Sequence, residues 1–172
     1  MKISFRTTSG SDPVETIRRK VIRLKRTTAE ECARVGLFAR EILLERTARG
    51  IDTDGVPFQS YAPSYEKKKG SGDVNLYSHY DGDHMLDLMV VIVAERRIYG
   101  EADVNFDSLL GARSFSLDFT YEYAKQKAIW NALGTSKMPA RNFADFSSSE
   151  VNRIQIYAGG LVYQRMGQDW SS

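Results

Sequence analysis

The side chains best equipped for chemistry lie in residues 78–87, SHYDGDHMLD. His79 and His84 bring imidazole nitrogens, and Asp81, Asp83 and Asp87 bring carboxylates. Such groups ligate zinc, and a zinc-held water is a nucleophile for hydrolysis. The spacing approaches a His-x-His-x-Asp-His metal motif, but Asp81 stands where the second His belongs. The chain holds only two histidines, so further His ligands downstream are missing. These groups would bind a metal adventitiously at most, and Asp81-Gly82 reads as a turn. A metal-dependent hydrolase at His79 and His84 is kept only as a second alternative. Asp52-Thr53-Asp54-Gly55 likewise suggests a calcium loop until it is aligned. With Gly55 on the loop glycine, Gly50 takes the first ligand position and Tyr61 the place of the bidentate Glu. Asp54-Gly55 is therefore a tight turn, with Pro57 and Pro63 stiffening the chain beyond it. The glycines are scattered with no Gly-Lys-Ser/Thr string, and no Gly-x-Ser-x-Gly elbow occurs. No metal, cofactor or catalytic residue is assigned.

A different kind of chemistry, that of contact surfaces, is concentrated in residues 121–146. Tyr123, Ile129, Trp130 and Leu133 fall at spacings that give a helix one apolar side. Gly134 is a plausible stop for that helix, since glycine alone takes a left-handed backbone cheaply. Pro139 forces Met138 to be extended, so residues 138–143 should leave as a strand-like or looped arm. Arg141 and Phe143 then point the same way. An aromatic beside an arginine suits an interface anchor. The plainer account has Phe143 and Phe146 closing the core and Arg141 as a solvated charge.

The elements that would position these groups are set by periodicity and caps. The chain has 172 residues, a net charge of +2, 42% hydrophobic and 27% charged residues. That suits one domain, residues 1–172, burying about two-thirds of its unfolded surface. The longest apolar run, 89–94, is far short of the roughly 18 residues that cross a bilayer. Without an N-terminal apolar core, the chain is expected to stay in the compartment where it is made, away from membranes. One cysteine, Cys32, excludes an internal disulfide and reads as a small buried residue.

Residues 1–5 suggest a short strand. Asp12-Pro13, with Glu15 as capping partner, starts a helix whose stripe is Val14, Ile17, Val21 and Leu24. Arg18, Arg19, Lys20, Arg23, Lys25 and Arg26 crowd the other side. They suit DNA phosphates, an acidic neighbouring subunit, or simply solvent. Thr28 with Glu31 forms a second capping box, and the pattern runs on to about residue 47 before Gly50 ends it. The turn-rich region 50–88, with its solvated Lys67, Lys68 and Lys69, is expected to be partly mobile or ordered by a partner. Strands are expected over 89–94, 97–101 after a reversal at Glu95-Arg96, and 114–119, where Phe115, Leu117 and Phe119 share a face. Residues 102–113 receive no assignment. Ser147, Ser148 and Ser149 offer N-caps to a helix over 150–166, in which Gly159-Gly160 allows another backbone to come close. The expected fold is α+β: a long N-terminal helix or helix pair, a small antiparallel sheet, and two further helices packed on it.

In this order the pieces resemble the phage virion-morphogenesis or tail-completion proteins, with their neck and tail-terminator relatives. Asp54-Gly55-Val56-Pro57-Phe58 matches an Asp-Gly-x-Pro-aromatic segment, and Lys67 to Lys69 supply its later lysine. Leu76, Gly82 and Leu86 loosely match a Leu/Gly/Leu stretch. Tyr123-Ala124, Gly134 and Pro139-Ala140-Arg141-Asn142-Phe143 match a Tyr-Ala helix and a Pro-x-Arg-x-Phe segment. Where relatives often carry His-Gln after Tyr-Ala, Gln126 and Lys127-Ala128 stand here. The likeness spans roughly residues 29–165. It implies a structural virion protein and no enzyme, assembled in the host cytoplasm as a ring at the head–tail junction. Its partners would be copies of itself, the tail tube and the head connector, with DNA passing in the channel. Subunit contacts would fall on Phe58, Tyr61, Arg141, Phe143 and Phe146. An alternative is a DNA-binding accessory protein using the basic N-terminal helix.

Overall fold

Thr28 opens a helix with a sheet packed on one side and a second helix on the other. Its hydroxyl accepts from the Glu31 N–H at 3.1 Å, and the Glu31 carboxylate accepts from the Thr28 N–H at 2.8 Å. This reciprocal box satisfies two of the donors a helix start leaves unpaired. The computed structural model describes residues 28–69, 74, 76, 86–93, 96–98 and 115–170. Within them run α1 (Ala29–Ala48), α2 (Pro63–Lys69), β1 (Met89–Val93), β2 (Arg96–Ile98), β3 (Ser116–Phe119), α3 (Glu122–Leu133) and α4 (Ser148–Trp170). The expected α+β class is met, with α1 the long helix nearest the N-terminus among the described residues. The strand at 1–5 and the helix from Asp12 lie outside the described residues.

The sheet is antiparallel, ordered β2-β1-β3. Val91 pairs with Ile98 on one side and Leu117 on the other. Arg96, expected in the reversal, instead pairs with Val93 as the first residue of β2. Central β1 is buried almost throughout, as its unbroken β-branched run demands. Helix α1 lies across it, using small side chains for close approach. Ala29, Cys32 and Ala33 pack on Val91, Val93 and Ile98. Gly36 sits so close that an added Cβ would overlap Val91 Cγ1 and meet Phe115 at 3.0 Å. A glycine costs a helix about 1 kcal/mol relative to alanine, and here the fit to the sheet requires it. Arg40 ties the two together, its Nε donating to the Met89 carbonyl at 2.8 Å.

The other side of α1 carries α4, running antiparallel. Arg46 bridges Glu150, Arg153 lies 4.0 Å from Glu45, Phe38 stacks on Tyr157 at 4.4 Å, and Arg165 reaches Glu31 at 2.9 Å. As one residue number falls the other rises, which fixes the register along the whole contact. Ser147 caps α4, its Oγ accepting from the Glu150 N–H at 3.3 Å and its N–H donating to Glu150 Oε2 at 2.8 Å. This cap is the one the serine run predicts. The close approach of another backbone at Gly159-Gly160 is not found among the described residues. A Cβ added at either glycine would meet nothing within 4 Å.

Helix α3 packs on β3 and corrects one expectation. Its buried residues are Ala124 and Ala128, while Tyr123, Trp130 and Leu133 are exposed. The apolar side read from the spacing faces outward. Region 50–88 is also better formed at its start than expected. Ile51 bridges Pro57, and Pro63 begins α2, taking the first helical position where its missing N–H costs nothing.

Candidate functional site

Two segments far apart in sequence lock together beside the core, and each carries one of the motifs named above. Helix α3 ends at Gly134, whose φ of 74° and ψ of 177° only glycine adopts readily. A Cβ there would lie 2.6 Å from the Ala140 nitrogen. After the Thr135–Met138 turn the chain doubles back, and the Arg141 N–H donates to the Asn131 carbonyl at 2.7 Å. This turn seats residues 141–145 against the 51–61 loop. Thr53 donates to the Asn142 carbonyl from both its N–H and its hydroxyl, each at 2.9 Å. Arg141 Nη2 donates to the Gln59 carbonyl at 3.2 Å, and its guanidinium lies 4.8 Å from the Tyr61 ring centre.

Arg141 and Phe143 do point the same way, and that way is inward. Each is 1% exposed. Arg141 is thus neither the solvated charge nor the outward anchor the sequence suggested. Its charge is held by Gln59, by Asn131 Oδ1 at 3.4 Å and by the Tyr61 face. Burial pulls its guanidinium below the usual range. Burial likewise pushes the Tyr61 phenol up, and nearby Arg141 partly offsets this. Phe143 and Phe58 join Leu43, Leu86 and Met89 in the core, with Phe146 packed at its edge. A buried side chain has no surface left for a neighbour, so direct contact through Phe58, Arg141 and Phe143 gives way to a supporting role. Tyr61 remains half-buried, tilted against Tyr65 at 4.9 Å.

The residue that organises this region is one the sequence does not single out. Arg46, 4% exposed near the end of α1, donates to Glu150 and to the carbonyls of Phe143 and Asp145. One guanidinium thus staples α1, the 143–145 segment and the start of α4. Glu150 stands at the foot of the expected helix, just after the capping serines. Arg46 gives no local sign, because its partners lie about a hundred positions downstream.

Among the described residues, most of the exposed large apolar side chains lie on or beside α3 and α4. On α3, Trp130 and Leu133 are 48% and 77% exposed, and Tyr121 stacks on Tyr123 at 5.6 Å. On α4, Ile156 and Tyr163 are 67% and 76% exposed. Between α3 and β3 opens a groove of about 250 Å³, floored by Leu43, Met89 and Phe143. Its charged lining residues are Asp118 and Lys125, 3.5 Å apart at the mouth. Cys32 is buried in the α1–sheet contact, with its thiol pushed up by burial and then by Glu31.

The remaining candidates fall elsewhere. Arg18, Arg19, Lys20, Arg23, Lys25 and Arg26 lie outside the described residues, as do His79, Asp81, Asp83 and His84. Asp87 is exposed and its carbonyl accepts from Arg40 at 3.3 Å. Among the described residues no group of three or more His, Cys, Asp or Glu is placed to hold a metal. No helix among them is long and apolar enough to cross a membrane. A scan of protein-family models, a search of curated proteins and a search of solved structures each return no match for the chain.

Proposed function

We propose that the chain is a structural protein of the phage head–tail junction. It completes or terminates the tail, or joins it to the head connector, as a closed ring of identical copies, and it carries out no catalysis. The observation that carries this reading is the lock between residues 53–61 and 141–145. The Asp-Gly-x-Pro-aromatic and Pro-x-Arg-x-Phe segments, which anchor the family resemblance in sequence, hold each other in space through Thr53, Asn142, Gln59 and Arg141. A shape-based role also suits the exposed aromatic and aliphatic side chains on α3 and α4. Large exposed apolar patches mark surfaces that meet other proteins, and Trp and Tyr are favoured there.

The test uses the full chain, by analytical ultracentrifugation and negative-stain microscopy, alone and with purified tail tubes. Annular particles that cap tube ends are expected. A chain that stays single at micromolar concentration and ignores tubes would overturn the reading, as would turnover of a substrate.

A further inference from the structure

We propose that the Asp54–Gly55 link is a self-modifying site. There the chain converts its own aspartate to isoaspartate and slackens the lock between residues 53–61 and 141–145. The reaction needs a free carboxyl, a following nitrogen unscreened by a side chain, and room for a five-membered ring. The exposed turn at residues 52–56 supplies all three. Among the described residues Asp54 is the one aspartate followed by glycine. Its N–H donates to Asp52 Oδ1 at 3.0 Å, while its own carboxylate accepts from no described residue. Asp52 is the opposite case, its Oδ1 also accepting from the Val56 N–H at 2.8 Å, with β-branched Thr53 next in the chain. At Asp118 and Asp145 a phenylalanine follows, and its N–H donates to that carboxylate at 2.8 Å. Gly55 has no Cβ to screen its nitrogen, its φ is 81°, and an added Cβ would meet nothing within 4 Å. The restraint on the step is the Gly55 N–H bond to the Asp52 carbonyl at 3.1 Å. Residues 54 and 55 are both exposed, so this bond opens locally without unfolding the core.

With the turn open, the Gly55 nitrogen attacks Asp54 Cγ. An N–Cγ bond forms, the Cγ–OH bond breaks, and the amide proton leaves with the hydroxyl as one water. Carboxyl and nitrogen sit in adjacent residues, so the step has the advantage of an intramolecular reaction. The nitrogen is then bonded to both carbonyl carbons of Asp54 in a succinimide. Water adds back at the main-chain carbonyl carbon, whose bond to nitrogen breaks. The chain now runs through Asp54 Cβ and Cγ and carries a free α-carboxylate. One water leaves and one returns, so solvent is the only co-reactant. The extra main-chain carbon falls between Asp52 and Val56, whose bonds depend on their spacing. The Asp52 N–H donates to the Val56 carbonyl at 2.9 Å, beside the Oδ1 contact already described. Thr53, inside the same turn, donates twice to the Asn142 carbonyl. Lengthening the turn therefore loosens the lock at Thr53.

The test ages the full-length protein in neutral buffer and maps its peptides by mass spectrometry, with an isoaspartate-specific methyltransferase as label. An Asp54 peptide of unchanged mass should take the label, preceded by a form lighter by one water. Faster amide exchange at Thr53 and Val56 should accompany it. Asp54→Glu keeps a carboxylate on the turn but needs a larger ring, and should lose the product. Asp54→Asn should form it faster, releasing ammonia in place of water. Asp54 left unmodified while a synthetic peptide of residues 50–58 converts would overturn the site. Isoaspartate at Asp54 with unchanged exchange at Thr53 would overturn its effect on the lock. Neither result depends on whether copies of the chain assemble.

Discussion

Arg46 and Glu150 show how much one buried pair decides. Their side chains are 5% and 11% exposed. Removing the cation strands a carboxylate in a nearly dry setting and frees two carbonyls. Arg46→Ala should therefore cost about 3–5 kcal/mol of unfolding free energy, read by urea denaturation. Tyr61 makes a pH-dependent contribution. Its folded phenol holds its proton above the usual range, whereas the unfolded one ionises near pH 10. That contribution is complete below about pH 10 and is lost as pH rises through the folded value. The stability gap between the wild type and Tyr61→Phe should thus change between neutral pH and about pH 11, and remain flat from about pH 6 to 9. Residues whose partners sit three positions away, such as Thr28 with Glu31 and Ser147 with Glu150, are legible in the sequence. Arg46 and Arg141 are not, because their distant acceptors lie 82 to 104 positions away.

Helices and strands are legible in kind because their periodicities are local, and less so in orientation. Helix α3 is the clearest case. Spacing identifies its apolar side, but the side that packs is lined by Ala124 and Ala128, small enough to let the helix lie on β3. Periodicity says which side is greasy and not which side is covered, and here the two differ. Helix α2 gives little warning since its seven residues carry no apolar stripe, leaving Pro63 as the only local sign. The α1–sheet contact gives a sharp test. Gly36→Ala should gain about 1 kcal/mol in helix propensity and lose more by overpacking against Val91 and Phe115. A net loss of about 1–2 kcal/mol is expected in thermal or urea unfolding. An equivalent change at Gly160, where the space is open, should stabilise.

For the molecule as a whole, α1 is the shared wall between the sheet and α4, and the outer faces of α3 and α4 are left uncovered by the described residues. If copies of the chain cover those faces, assembly and stability are linked by mass action. The thermal midpoint of the full chain should then climb with protein concentration. The staple at Arg46 also bears on how the chain is made. Its carboxylate partner is 104 residues downstream, and ribosomes add about 5–20 residues per second, so the cation waits roughly 5–20 s for its counter-charge to be synthesised. Throughout that interval the end of α1 cannot bury without stranding a charge. The end of α1 is thereby held open until α4 begins to emerge, and it reaches its final packing only once Glu150 has been made.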